Sequence, residues 1–162
     1  IVHRDIKPGN VLISYNPLRV KICDFGLATT IPGEDYMRAR KYTKHIITRN
    51  YRAPEVILLE PHGPPSDVWG VGCIFGELLG SVYPSSHAGL LLHGHSCWPM
   101  SPASSREHKV IDENDQLIKI LEVLGNPEPD ELEFIALPNT RGYVEAFPIY
   151  RARCLQGLYP DA

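Results

Sequence analysis

Asp5, Lys7 and Asn10 fall within one eight-residue run, His3-Arg4-Asp5-Ile6-Lys7-Pro8-Gly9-Asn10, and Asp24-Phe25-Gly26 follows fourteen positions after the asparagine. Two carboxylates, an ammonium and an amide are groups suited to moving a phosphoryl group onto a hydroxyl. That reaction needs little covalent help; it needs positioning, charge neutralisation by Mg²⁺ and an acceptor for the hydroxyl proton. Asp5 is the candidate acceptor, and Lys7 puts a point charge beside the transferring phosphate. Asn10 offers an amide oxygen and Asp24 a carboxylate, the hard oxygen donors that Mg²⁺ takes. Gly26 lets the backbone turn sharply behind Asp24.

Taken singly, these signals are weak, because an Asp-Phe-Gly tripeptide is often only a turn. The complete eight-residue run, a short connection, Asp-Phe-Gly and then Ala53-Pro54-Glu55 form an ordered set that a purely structural reading does not explain. A metal centre at His87, His93 and His95 near Cys97 is disfavoured, since Gly, Ser and Pro surround them with no ligand spacing on a helix or strand. Cys23, Cys73, Cys97 and Cys154 are widely spaced and form no C-x-x-C pair, which argues for reduced thiols in an intracellular protein.

The elements that would position these groups are short. Val11-Leu12-Ile13 and Val20-Lys21-Ile22 are β-prone runs around the turn-like Tyr15-Asn16-Pro17-Leu18, and predict a small hairpin between the two acidic motifs. Residues 27–50 carry Arg38, Arg40, Lys41, Lys44 and Arg49 without a sustained period, as an exposed loop does. Glu55–Leu59 predicts one or two helical turns. Ser66-Asp67 offers a cap for a helix Val68–Leu79 that is apolar on most faces, as a buried central helix is. Residues 81–110, rich in Ser, Pro, Gly and His, predict a long surface loop. Asp115–Leu124 places Leu117, Ile118, Leu121 and Leu124 on one helical face, stopped by Gly125-Asn126-Pro127. A short helix is expected over Asp130–Leu137, and an irregular tail from Pro138 to Ala162, broken at Pro138, Pro148 and Pro160. The fold class is mainly α with a small β element beside the chemistry.

With 162 residues and 43% hydrophobic content the chain can bury one sizeable core. A net charge of −3 gives no general attraction to nucleic acid or anionic membranes, and no apolar run reaches the roughly 20 residues of a membrane span. The chain opens on Ile1 without an initiator Met or a leader, which suggests a stretch of a longer polypeptide.

The ordered motifs resemble the C-terminal lobe of a eukaryotic protein kinase, with the lobe that precedes it in that family absent. The resemblance implies a partial kinase domain over 1–162: a catalytic loop at 3–10, an activation segment at 24–55, a central helix at about 66–80, an insert at 81–110 and later helices and tail at 113–162. It implies ATP and Mg²⁺ as cofactors, Asn10 and Asp24 as metal ligands, and Leu12 and Cys23 with Lys7, Asn10 and Asp24 around the nucleotide. Lys7 resembles the serine/threonine class, and Thr48 matches the threonine that bonds the catalytic Asp and Lys there, here Asp5 and Lys7. His3 and Phe25 would stack in a spine, and Asp67 would brace the catalytic-loop backbone. Thr48-Arg49-Asn50-Tyr51-Arg52-Ala53-Pro54-Glu55, Asp67–Phe75 and Gly157–Ala162 are similar to the group that holds mitogen-activated and cyclin-dependent kinases. That group acts on Ser/Thr-Pro sites of proteins in cytoplasmic and nuclear signalling, under an upstream activating kinase.

Two departures bear on regulation. Where mitogen-activated kinases carry a phosphorylated Thr-x-Tyr, this chain has Thr43-Lys44-His45. Thr43 remains a candidate phosphosite that would pair with Arg4, since a phosphate dianion suits an arginine fork. Arg49 and Arg52, which hold the phosphotyrosine in that group, have no matching anion. Thr29 replaces a common Arg that grips the phosphothreonine. The rival readings are a non-catalytic kinase-like module and a small-molecule phosphotransferase. Retention of Asp5, Lys7, Asn10 and Asp24 argues against the first, and the Thr48–Glu55 segment against the second. Residues 1–162 contain no Gly-rich loop, strand Lys or late Arg to meet Glu55. The isolated chain is therefore expected to be inactive and marginally stable, with Glu55 solvated or titrating.

Overall fold

The computed structural model of the chain describes residues 1–30, 48–83, 89–99 and 112–162. Thr43, most of the expected loop at 27–50 and residues 84–88 and 100–110 of the expected loop at 81–110 lie outside the described residues. The described architecture is helical with one two-stranded antiparallel sheet. Strands β1 (Val11–Tyr15) and β2 (Leu18–Ile22) pair with Val11 opposite Ile22, Ile13 opposite Val20 and Tyr15 opposite Leu18. β-branched and aromatic side chains suit this pleated surface. Ser14 Oγ donates to the Pro17 carbonyl at 2.9 Å and closes the turn. Every residue of β2 is exposed, so the ladder and cross-strand pairs hold the hairpin.

Helix α1 (Pro54–Ile57) starts on a proline, whose missing N–H costs nothing in a first turn. Helix α2 (Pro64–Val82) begins earlier than the Ser66-Asp67 cap implied, again on prolines, with Gly63 as its N-cap. Ser66 Oγ instead donates to the Gly63 carbonyl at 2.7 Å, and Asp67 turns to the catalytic run. The expectation of a helix buried on most faces is corrected. Its buried side consists of Ser66, Gly70, Cys73, Gly76 and Gly80, while Val68, Val71, Phe75, Leu78 and Val82 are each more than half exposed. A Cβ at Gly70 would stand 2.8 Å from the Ile6 carbonyl, so only small residues fit the side that meets the catalytic run.

Helix α3 (Gln116–Leu124) is capped by Asp115, whose Oδ1 accepts from Leu117 N at 2.9 Å. Leu117, Ile118 and Leu121 are buried as the periodicity requires, but so are Ile120 and Val123, while Leu124 is exposed. Gly125, at φ 81°, ends the helix. The helix expected at Asp130–Leu137 shrinks to a 3₁₀ turn at Pro129–Leu132. Helix α4 (Pro138–Glu145) occupies part of the expected irregular tail, because Pro138 stands at a helix start rather than in an interior. A last short helix, α5, spans Leu155–Leu158.

One core joins these pieces: Ile57 and Leu58 after α1, Cys73 of α2, the buried face of α3, and Val144 and Phe147 around α4. Leu92 and Cys97 belong to it, which corrects the surface-loop reading for residues 89–99. No helix of the described residues is long and apolar enough to cross a membrane.

Candidate active site

Asp67, in the first turn of α2, organises the catalytic run. Its Oδ2 accepts from His3 N at 2.7 Å and its Oδ1 from Arg4 N at 2.8 Å. Arg4 sits at φ 68°, a left-handed conformation that non-glycine residues seldom adopt. The two charge-assisted bonds hold the backbone there and turn Asp5 inward. His3 ties this run to the second motif, with Nε2 3.0 Å from the Cys23 carbonyl and its ring edge-on to Phe25 at 5.0 Å. Cys23 N donates to the Asn10 carbonyl at 2.9 Å, and Val2 and Thr29 exchange backbone bonds of 2.8 and 2.9 Å. The two motifs therefore lie side by side, joined by the hairpin's base.

Asp5 is buried, and two side chains converge on it. Lys7 Nζ lies 2.7 Å from Asp5 Oδ2, and Asn10 Nδ2 donates to the Asp5 carbonyl at 2.8 Å and to Oδ2 at 3.1 Å. Committing Nδ2 to Asp5 leaves Asn10 Oδ1 without a partner among the described residues. Asp24 is also left-handed (φ 61°, ψ 70°), and its Oδ1 accepts from Gly26 N at 3.3 Å. An amide oxygen and a carboxylate, as Asn10 and Asp24 offer, are hard donors that fit Mg²⁺ rather than a softer metal. Among the described residues no cluster of three or more His, Cys, Asp or Glu forms another metal site, and His93 and His95 stack on each other at 4.9 Å.

Other expected site residues are less closely gathered. Thr48 is half-buried and its carbonyl accepts from Tyr51 N at 3.3 Å; the expected bond to Asp5 and Lys7 is not among the contacts of the described residues. Leu12 is 54% exposed on β1, and Cys23 is half-buried. Arg4 Nε donates to the Leu27 carbonyl.

Arg49 and Arg52 both reach neutral acceptors in residues 94–97. Arg49 Nη1 donates to the carbonyls of Gly94 and His95, and Arg52 Nη1 to Cys97 Sγ at 3.6 Å. Asn50 Nδ2 adds a bond to the Leu92 carbonyl at 3.0 Å. Burial pushes the Cys97 thiol up, against the opposing pull of Arg52.

Sequence reasoning missed the residue that holds the other side of this clamp. Gln116 is fully buried; its Oε1 accepts from Gly94 N at 2.9 Å and its Nε2 donates to the Leu92 carbonyl at 3.2 Å. A Cβ on Gly94 would stand 2.6 Å from Gln116, so the contact demands glycine. Glu60 was missed as well: it is 2% exposed, its Oε1 accepts from Ala136 N at 3.1 Å, and its N–H donates to the Glu55 carbonyl at 2.8 Å. Glu55 itself is half-buried at the start of α1.

A buried aspartate clasped by a lysine and an asparagine, beside a left-handed Asp-Phe-Gly, defines a phosphoryl-transfer class of site. Residues 1–131 match the family model of the protein kinase domain, and the chain belongs to that family. It is 39% identical to the mitogen-activated protein kinase homolog NTF3 of Nicotiana tabacum, with all of this chain and 36% of that protein aligned. It is 38% identical to mitogen-activated protein kinase homolog 1 of Petunia hybrida, with all of this chain and 35% of that one aligned. Mitogen-activated protein kinase 7 of Arabidopsis thaliana is 36% identical, again over the whole chain and 37% of the relative. The chain thus spans a little over a third of the length of these relatives, and it is a mitogen-activated-kinase-like member of the family.

Proposed function

We propose that the chain forms the C-terminal lobe of a serine/threonine protein kinase that passes the γ-phosphate of ATP to Ser/Thr-Pro sites of proteins in cytoplasmic or nuclear signalling. The carrying observation is the Asp5 carboxylate held by Lys7 Nζ at 2.7 Å and Asn10 Nδ2 at 3.1 Å. Asp5 orients the substrate hydroxyl and accepts its proton. Lys7 keeps the carboxylate in place and lies where charge develops on the transferring group. Asn10 Oδ1 and Asp24 would hold Mg²⁺. When bound, ATP with Mg²⁺ supplies the phosphoryl group and neutralises its charge. Leu12 and Cys23 would face the nucleotide, and Thr48 would complete the grip on Asp5 and Lys7 once substrate is present. The similarity of the relatives named as mitogen-activated protein kinases supports this reading.

An upstream kinase would act on Thr43, with Arg4 receiving the phosphate. Since Arg49 is held by the carbonyls of Gly94 and His95, its position does not depend on a second phosphate.

Two measurements test the function. The native polypeptide that carries this sequence should transfer labelled phosphate to a Ser-Pro peptide, and its Asp5→Asn variant should do so far more slowly. Failure of transfer to any peptide would favour a non-catalytic module. In the 162-residue chain, Mn²⁺ should broaden NMR signals of residues 5–10 and 23–26, and Asp24→Asn should abolish this.

A further inference from the structure

A cleft of about 280 Å³ opens between α3 and the chain at 148–150, at a separate place in the fold from the catalytic run. It is smaller than the ~300–1,000 Å³ of most small-molecule sites, and suits a single side chain better than a nucleotide. Two carboxylates, Glu113 and Glu122, line it against one ammonium, Lys119. Lys119 Nζ is already 2.8 Å from Glu122 Oε1, while Glu113 has no cationic partner among the described residues. The lining therefore carries one uncompensated negative charge. Tyr150 and Pro148 line its other side, with the buried Ile118 behind them.

The wall is built in advance. Asn126 Nδ2 donates to the Pro148 carbonyl at 3.2 Å, its Oδ1 accepts from Tyr150 N at 2.7 Å, and its own N–H donates to the Tyr150 carbonyl at 3.3 Å. A site held in shape by such bonds loses little freedom when it is filled. Between Pro148 and Tyr150 in the sequence, Ile149 is 90% exposed.

We propose that this cleft receives an arginine side chain from a protein partner. A guanidinium forks onto a carboxylate such as Glu113 and stacks on an aromatic face such as Tyr150, while its methylene stem covers apolar surface. A phosphate or carboxylate ligand would meet Glu113 with the wrong sign, and Lys119 is already paired. The exposed Ile149, next in sequence to both Pro148 and Tyr150, gives an apolar neighbour of the arginine something to cover, which a free guanidinium would not use.

The test titrates the native polypeptide that carries this sequence with the peptide acetyl-Gly-Arg-Leu-Gly-amide and follows amide NMR shifts. Saturable shifts are expected at 113–122 and 148–150. Citrulline in place of arginine, and the variants Glu113→Gln and Tyr150→Leu, should each weaken binding about fivefold to tenfold. Lys119→Gln should tighten binding, because it frees Glu122; loss of packing could not produce that sign. Equal binding of the citrulline peptide, or weaker binding by Lys119→Gln, would overturn the proposal. Binding of N-acetyl-arginine amide as tight as the peptide would overturn the protein-partner assignment, and shifts with phosphoserine but not arginine would overturn the charge argument.

Discussion

The catalytic run and the core around α3 are built from different materials. Residues 3–10 and 23–26 are held by a few directed polar bonds, with Asp67 meeting His3 N and Arg4 N and His3 meeting Cys23. The α3 region is held by many apolar contacts among Ile57, Leu117, Ile118, Leu121, Val144 and Phe147. Directed bonds set the aim of a few functional atoms to a fraction of an ångström, and each can be undone by one substitution. Apolar burial is non-directional and additive, so it supplies stability without specifying where a carboxylate points. The glycine-lined side of α2 joins the two, since Gly70 lets Ile6 approach closely.

The largest effect expected separates chemistry from stability altogether. Asp5→Asn keeps acceptors for Lys7 and Asn10, so the urea midpoint of the chain should hold while peptide phosphorylation by the native polypeptide falls about 10²–10⁴-fold. Next, Ile118→Ala should cost about 3–4 kcal/mol in urea unfolding, yet leave Mn²⁺ broadening at 5–10 intact below the midpoint. Loss of that broadening in a folded Ile118→Ala protein would break the separation between the two regions. Asp67→Ala should cost less, about 2–3 kcal/mol, but should release the catalytic run and abolish the broadening.

Smaller still are two effects at the boundary. Burial first, and Glu77 second, push the Cys73 thiol up to about 12 from 9.0. The folded state then keeps a proton that the unfolded chain gives up, so stability should fall as pH rises from about 9 toward about 12. Cys73→Ala should flatten that slope in denaturation profiles, and at pH 8 maleimide should label exposed Cys154 well before Cys73. Leu124→Ala, on the exposed side of α3, should change stability by less than about 0.5 kcal/mol.

Much of the candidate site was legible because its signal is local. Asp5, Lys7, Asn10 and Asp24 lie in two short runs whose spacing states the chemistry, and β-branched residues around a proline turn state the hairpin. Helix boundaries at prolines were read less well. Pro54, Pro64 and Pro138 start helices, and the residue type alone does not say whether a proline breaks a helix or opens one. The outward Val68–Val82 face was misread because apolar character marks a wish for burial, while which face is buried depends on what the helix meets.

The sequence by itself determined the chemistry on offer, the family and the order of the elements, since these reside in residue type and spacing. Only the tertiary structure decided that Gln116 and Glu60 are buried fasteners, and that Arg49 and Arg52 rest on 94–97. These contacts span between 22 and 76 residues of sequence. A hydrogen bond depends on distance and angle, and no local pattern encodes a partner that far along the chain.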